Sequence, residues 1–367
     1  MATHKAYIQS AVGRPLTLES AQTPSPSSGQ VLVTVLASPV LSYTANVLSS
    51  ENRCVHPFTP GASAIGRIAA TSEDSTVLQV GQLVFCDPTV RARDDHSGGT
   101  VILQGWFAGA TPEARRLAEG PWRNGTWAQK VLVPLESVTV LDEQVLLHKL
   151  GYSVPQLCRI GALLVPYGGW RTGGLGVGDV AIVAPATGHF GGAAVHVAIA
   201  LGAKLVVAAG RNMKELEALQ SRYSGRVKPV VLTGDVSADT DALKTASGGK
   251  GANIYMDFLP PQAADATHPQ ACILALRAGG KAILMGGVRT NVSFNYSHVM
   301  FNNITVHGQF MYNADAPMKV TELLESESMT LEGLESTPFD FEQLDVAIQH
   351  AQTHTGWGKQ TVLQVSL

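Results

Sequence analysis

The pattern of apolar and polar positions changes character part-way along the chain. In roughly the first 140 residues the apolar runs are short and broken by Gly and Pro. Val31 to Ala37 is rich in β-branched residues with partial alternation and predicts a strand. Pro57 to Ala70 is apolar and punctuated by glycine, and Gln79 to Val84 reads as a tight turn into a strand. Val131 to Pro134 and Val138 to Leu141 are further short strands. Short strands joined in this way predict a barrel-like β unit.

From Asp179 the pattern is different. Asp179 to Ala184 is a continuous apolar run, as a strand buried on both faces should be. A glycine-rich turn follows, then a small-residue helix over Gly192 to Leu201. Lys204 to Ala209, Val227 to Leu232, Ala252 to Phe258 and Lys281 to Met285 predict strands, with helical segments between them, including Met213 to Arg222. Strands alternating with helices mean a parallel sheet with crossovers. Helices near Pro317 to Ser326 and Glu342 to Gln352, and a strand over Gln360 to Val365, complete the chain.

Composition narrows the function classes. The length of 367 residues suits two domains, and 45% hydrophobic residues against 15% charged ones argue against a disordered chain. The net charge of −3 provides no basic excess for a phosphate backbone, so nucleic acid is not an expected partner. The four cysteines, Cys54, Cys86, Cys158 and Cys272, include no C-x-x-C pair. Met1 to Ser10 shows no apolar run behind a basic cluster, and no apolar stretch reaches membrane-spanning length. The expectation is a cytoplasmic protein without membrane contact.

The strongest chemical signal is Ala186-x-Gly188-x-x-Gly191, a variant of G-x-G-x-x-G between a predicted strand and a predicted helix. Gly188 lets the backbone approach a pyrophosphate, Gly191 lets the helix pack on the sheet, and the helix N-terminus offers amides and a positive dipole end. Ala186, Thr187, Gly188, His189, Phe190 and Gly191 are therefore candidate cofactor contacts, with Gly286 at a later strand end. The second strand runs into Gly210-Arg211-Asn212, with Lys214 one turn on. An NAD site usually places Asp or Glu there to accept from the ribose 2′-hydroxyl. Arg211 instead suits a 2′-phosphate, so the expected cofactor is NADPH. The plainer reading of Arg211 and Lys214 is a pair of exposed cations at a helix start.

At this point the chain resembles the medium-chain dehydrogenase/reductase superfamily, and within it the zinc-free quinone oxidoreductase-like branch. The landmarks run in order: Val33 to Ser38, Pro60-Gly61 with Gly66, Val80-Gly81, Gly125 to Gln129, Gly178-Asp179, the fingerprint, Gly202-Ala203, Leu276 to Gly280, Gly286 and Gly358-Lys359. The resemblance implies an α/β chain with a GroES-like β-barrel domain over residues 1–149 and 314–367. It implies a Rossmann doubly wound parallel-sheet domain binding NADPH over 150–313, with a homodimer formed through the sheet edge. Departures from the zinc-dependent members are as informative. Leu41 stands where they carry a Cys, Gly61-Ala62-Ser63 where they carry Gly-His-Glu, and Pro166 or Tyr167 near their last catalytic ligand. Only Cys86 falls in the region of their four-cysteine structural zinc lobe. No metal is expected.

Without zinc, a proton donor must meet the negative charge that develops on a substrate oxygen. Tyr43 is the first candidate, two residues after the lost Cys position, where the resemblance implies a hydroxyl relay; its plainer reading is a packed aromatic. Tyr167 is the second, in Leu164 to Trp170, a stretch that reads as a loop-like break. Residues 87–123 look like an insertion, and three of the five Trp fall between 106 and 127, a concentration suited either to an apolar pocket or to anchoring a loop. Three functions are open. The first is reduction of an activated C=C bond of a small organic molecule (an enone, quinone or enoyl compound). The second is zinc-free reduction of a ketone, aldehyde or imine. The third is NADPH binding without turnover, as a sensor.

Overall fold

The computed structural model describes residues 2–51, 53–223, 225–263 and 265–365. The chain divides into two compact units. The first takes the residues up to Gly161, together with Leu331–Thr355 and the segment from Lys359; the second takes Ala162–Thr330 with Gly356–Gly358. None of the described helices is long and apolar enough to cross a membrane.

In chain order the first unit contains β1 (Thr3–Ile8), β2 (Thr17–Gln22), β3 (Gln30–Val40), α1 (Thr44–Leu48), β4 (Ala64–Thr71), β5 (Leu83–Cys86), β6 (Thr89–Arg91), β7 (Val101–Leu103), α2 (Pro112–Glu119), β8 (Lys130–Pro134), β9 (Val138–Val140) and α3 (Val154–Leu157). The strand β3 is its centre, pairing antiparallel with β4 and β8. Its alternate residues Val31, Val33 and Val35 are fully buried, in a core with Ile68, Val84, Val131 and Val133. The insertion is a lobe with a small core of its own. A β6–β7 hairpin covers α2, whose N-terminus is fixed by Pro112 in the first turn and by the Thr111 side chain accepting from Ala114 N–H at 3.2 Å. Val90, Ile102, Ala108, Ala114, Ala118 and Trp122 fill that core, while Trp106 and Trp127 belong to the main one.

The helix α4 (Ile160–Gly173) leads into the second unit, which holds β10 (Val180–Ala184), α5 (His189–Ala200), β11 (Leu205–Gly210), α6 (Met213–Arg222), β12 (Val227–Val231), α7 (Val236–Ala246), β13 (Ala252–Asp257), α8 (His268–Leu274), β14 (Leu276–Leu284), α9 (Tyr296–Phe301), β15 (Thr305–Gly308) and α10 (Ala316–Glu325). Its six strands are parallel, in the order β12-β11-β10-β13-β14-β15. Numbered within this sheet, that is the 3-2-1-4-5-6 order of a Rossmann fold, with the switch point between β10 and β13. The chain then returns to the first unit. There β16 (Glu335–Asp340), α11 (Leu344–Thr353) and β17 (Lys359–Gln364) follow, and β17 pairs antiparallel with β3.

Two local expectations are corrected. Leu164 to Trp170 is not a loop-like break but the middle of α4, with Pro166 inside the helix. Its glycines serve close packing: a Cβ at Gly169 would stand 2.4 Å from Met285 Sδ and 2.6 Å from Met256 Cε, so the helix lies on the sheet only without one. The small-residue helix starts at His189 rather than Gly192, which puts His189, Phe190 and Gly191 in its first turn.

Candidate cofactor and active site

The dinucleotide turn is assembled at the C-terminal ends of three strands. Ala186 N–H donates to Ala209 O at 2.7 Å and Phe258 N–H to Ala184 O at 3.2 Å, tying β10 to β11 and β13. The two fingerprint glycines do opposite things. A Cβ on Gly191 would lie 2.0 Å from Pro185 O, so α5 starts this close to the turn only with glycine there. A Cβ on Gly188 would meet nothing within 4 Å. The turn is therefore open above Gly188, and Gly188, as the N-cap, leaves the first-turn amides without a side-chain cap. A 12-residue helix presenting its positive end to open space fits a pyrophosphate.

The flanking residues have distinct surroundings. Ala186 is buried and Thr187 half-buried, and a Cβ on Gly210 would press the Thr187 side chain at 3.0 Å. His189 meets Phe190 edge-on at 5.2 Å and lies 6.2 Å from Trp357, while Phe190 stacks on Phe258 at 6.1 Å. At the end of β11, Arg211 and Lys214 are exposed. The Asn212 side chain is committed to capping α6, accepting from Glu215 N–H at 3.4 Å.

Gly286 is tied to a residue that sequence reasoning missed. A Cβ there would stand 2.5 Å from Asp257 Oδ2. Asp257 ends β13 opposite Ala184, the last residue of β10. Its carboxyl accepts from Tyr255 Oη at 2.9 Å and from the backbone N–H groups of Leu259 and Gly286. Burial outweighs these bonds and pushes the carboxyl up to about 6. His268 Nε2 stands 3.9 Å from Asp257 Oδ1, and burial, aided by the Arg211 charge, pushes this imidazole down to about 4. The available signal was one acidic residue closing an apolar buried strand, Ala252 to Asp257, level with the fingerprint.

Both candidate proton donors sit in aromatic or cationic company. Tyr43 is the N-cap residue of α1, with its ring edge-on to Trp106 at 6.0 Å. Burial pushes its phenol up to about 12, opposed by the Arg53 charge and a hydrogen bond with the Trp106 side chain. An indole N–H only donates, so Tyr43 Oη accepts from it and keeps its own proton for another group. Beside it, Thr44 Oγ1 is buried and has no partner among the described residues. Tyr167 lies on α4, buried, and its hydroxyl accepts from Arg171 Nη1 at 3.1 Å. The same logic leaves the Tyr167 proton uncommitted. Trp106, Phe107 and Trp122 line a hollow of the first unit with Cys54, Phe58 and Ile102.

The side chains at the positions that the resemblance matches to zinc ligands do not converge as a metal-holding group among the described residues. Leu41 and Ala62 carry no donor, and the Ser63 carbonyl accepts from Ser38 Oγ at 2.9 Å and Thr126 Oγ1 at 3.0 Å. Cys86 is buried, and burial pushes its thiol up to about 12. Among the described residues no three His, Cys, Asp or Glu side chains converge as a metal-holding group.

Comparison with known proteins agrees with the architecture. The alcohol dehydrogenase GroES-like domain model matches residues 27–143 and the zinc-binding dehydrogenase model matches residues 190–326. A probable cinnamyl alcohol dehydrogenase of Medicago sativa is 25% identical over 289 residues, covering 75% of this chain and 72% of that protein. D-xylulose reductase of Scheffersomyces stipitis is 24% identical over 301 residues, covering 78% and 75%. Among solved structures, a short chain alcohol dehydrogenase from E. coli CFT073 complexed with NADH superimposes with a TM-score of 0.80 at 18% identity, over 99% of this chain and 100% of that one. A Sinorhizobium meliloti 1021 protein bound to NADP gives a TM-score of 0.79 at 16% identity, over 99% and 100%.

Fold, fingerprint and both domain matches define a two-domain, NAD(P)-dependent oxidoreductase. The chain belongs to the medium-chain dehydrogenase/reductase superfamily, in the family of the zinc-binding alcohol dehydrogenases. These relatives are named as alcohol dehydrogenases and a sugar reductase, not as quinone oxidoreductases.

The Asp257 environment predicts a pH dependence. A carboxyl raised on folding stabilises the protein fully below its unfolded value near 4, and that stability is lost as pH rises through about 6. In denaturant titrations, the stability of the wild type relative to Asp257→Asn should fall by up to about 3 kcal/mol between pH 4 and 7 and then stay level. A difference independent of pH would refute the assignment.

Proposed function

We propose that the protein is an NADPH-dependent, zinc-independent reductase of a small carbonyl compound, a ketone, aldehyde or imine. The observation that carries the cofactor reading is the open turn at Gly188 with the exposed Arg211 closing β11. The α5 amides hold the pyrophosphate, Arg211 and Lys214 meet the 2′-phosphate, and the Gly286 and Asp257 contact keeps the neighbouring strand ends in place. When bound, the cofactor supplies two electrons and one hydrogen to the substrate carbon. Tyr43 Oη, or failing it Tyr167 Oη, gives the proton to the substrate oxygen or nitrogen; each accepts from a neighbouring donor and keeps a proton to give. The relatives' names support C=O chemistry. The side chains at the zinc positions favour a second reading, reduction of a conjugated C=C bond, because conjugate addition asks less polarisation of the oxygen.

The working unit is proposed to be a homodimer through the sheet edge. The strand β15 is the last of its sheet, and Tyr296, Phe301 and Phe310 nearby in sequence are 78%, 76% and 55% exposed. Sedimentation should give twice the chain mass; a monomer at micromolar concentration would refute this.

The decisive assay is NADPH consumption against aldehydes, ketones, cyclic imines, enones and quinones, with metal content measured on the same sample. Consumption with carbonyls or imines and no bound zinc is expected, while consumption with enones or quinones alone would favour the second reading. Arg211→Ala should weaken NADPH binding by roughly ten- to a hundredfold and NADH binding little, as loss of a charge-assisted contact implies. Equal losses would remove Arg211 from the 2′-phosphate. Tyr43→Phe should lower kcat by about a hundredfold with cofactor affinity unchanged. Unchanged turnover would transfer the role to Tyr167.

A further inference from the structure

Four arginines of the first unit pair with glutamates: Arg67 with Glu143, Arg93 with Glu136, Arg115 with Glu119 and Arg116 with Glu113. Arg53 does not. Its side chain forms no hydrogen bond or ion pair with a described residue, and Glu51, two residues back, is exposed and does not pair with it. The Arg53 Nε is nevertheless buried, so this N–H has left water without gaining an acceptor among the described residues. A buried donor of this kind is costly until an acceptor arrives.

The backbone and one ring fix where the guanidinium lies. Arg53 O accepts from Ala108 N–H at 2.8 Å, and Cys54 Sγ donates to Trp106 O at 3.4 Å, which ties this segment to the Trp106–Ala108 turn at two points. That turn is itself tight. Leu103 and Phe107 exchange backbone hydrogen bonds of 2.8 Å in both directions, and a Cβ on Gly105 would stand 2.4 Å from Gly125 Cα. The guanidinium carbon then sits 5.6 Å from the centre of the Phe107 ring, a cation on an aromatic face.

The proposed proton donor is close by. Trp106, the neighbour of Phe107 in the chain, meets the Tyr43 ring edge-on. Burial pushes the Tyr43 phenol and the Cys54 thiol up to about 12, and the Arg53 charge opposes it in both. Arg123, on the wall of the hollow that Trp106 and Phe107 share, also forms no ion pair with a described residue. None of the described residues lining that hollow is acidic.

We propose that Arg53 binds a carboxylate of the substrate, so that the compound reduced is an oxo acid rather than a neutral aldehyde or ketone. The planar fork of a guanidinium matches the two oxygens of a carboxylate, and the buried Nε–H gains the acceptor it lacks. With the carboxylate on Arg53, the carbonyl end of the molecule is turned to Tyr43. The substrate class rests on the carbonyl-reductase reading above, whereas the anion site rests on Arg53.

The test uses matched pairs that differ in charge: para-formylbenzoate against its methyl ester, and levulinate against its methyl ester. NADPH consumption is followed with the full-length wild type, Arg53→Gln and Arg53→Lys. In the wild type kcat/KM should favour each acid by about tenfold or more, through a lower KM. The preference should vanish in Arg53→Gln and shrink in Arg53→Lys, which keeps the charge without the fork. Each ratio is taken within one protein, so a general loss of rate does not imitate it. Acid and ester reduced equally by the wild type, or a preference that survives in Arg53→Gln, overturns the anion site and leaves the reductase reading in place. Should no carbonyl compound be consumed, calorimetric titration with benzoate, against benzamide as the neutral control, decides. Benzoate binding that Arg53→Gln abolishes and Arg53→Lys keeps in weakened form would retain the anion site and remove the reductase reading; no binding would remove both.

Discussion

The second unit depends on how closely the start of α5 approaches the end of β10. A single carbon atom at Gly191 would collide with the Pro185 carbonyl, so this backbone contact exists only with glycine. Because α5 starts there, its positive end lies beside the open backbone of Gly188. The same segment bonds β10 to β11 and β13 through Ala186 and Phe258, so the turn and the sheet are one construction. The proposed phosphate would meet backbone groups that are already fixed in place.

Burial around that turn has an electrostatic consequence. Asp257 is held by Tyr255 and two backbone amides, and Gly286 must remain glycine to make room for its carboxyl. The carboxyl is nonetheless pushed up to about 6 by desolvation. Burial, aided by the charge of Arg211 just after β11, lowers the pKa of His268. The strand ends where the cofactor is proposed to lie therefore bring the exposed Arg211 and Lys214 close to a buried Asp257 and His268.

The first unit solves a different problem. At the positions that the resemblance matches to zinc ligands, this chain has Leu41 and Ala62 and a Ser63 whose carbonyl accepts from two hydroxyls. The space near Tyr43 is filled instead by aromatic rings, with Trp106 edge-on to both Tyr43 and Trp127. Packing of this kind holds a phenol in one orientation while leaving its proton uncommitted, as a proton donor requires. The concentration of tryptophans in the insertion divides accordingly: Trp122 anchors the lobe, and Trp106 and Trp127 belong to the main core.

Much of the fold was legible in the sequence, because strand burial and strand–helix alternation are local patterns. Val31 to Ala37 lies in β3, and Asp179 to Ala184 and the later apolar runs match their strands to within a residue or so at the ends where they were predicted. The glycine turn between β10 and α5 was legible for the same reason, since Gly188 and Gly191 are set by spacing along one strand–turn–helix unit. Leu164 to Trp170 was misread because glycine and proline look alike whether they break a helix or let it pack closely, and only the Met285 and Met256 neighbours distinguish the two. Asp257 and His268 were invisible because their state comes from burial and from partners on other strands. The sequence by itself determined the two architectures and the glycine turn between β10 and α5, which rest on periodicity and on backbone conformation. The tertiary structure alone decided which polar groups are buried together, and hence which protons are held, because desolvation depends on neighbours that are distant along the chain.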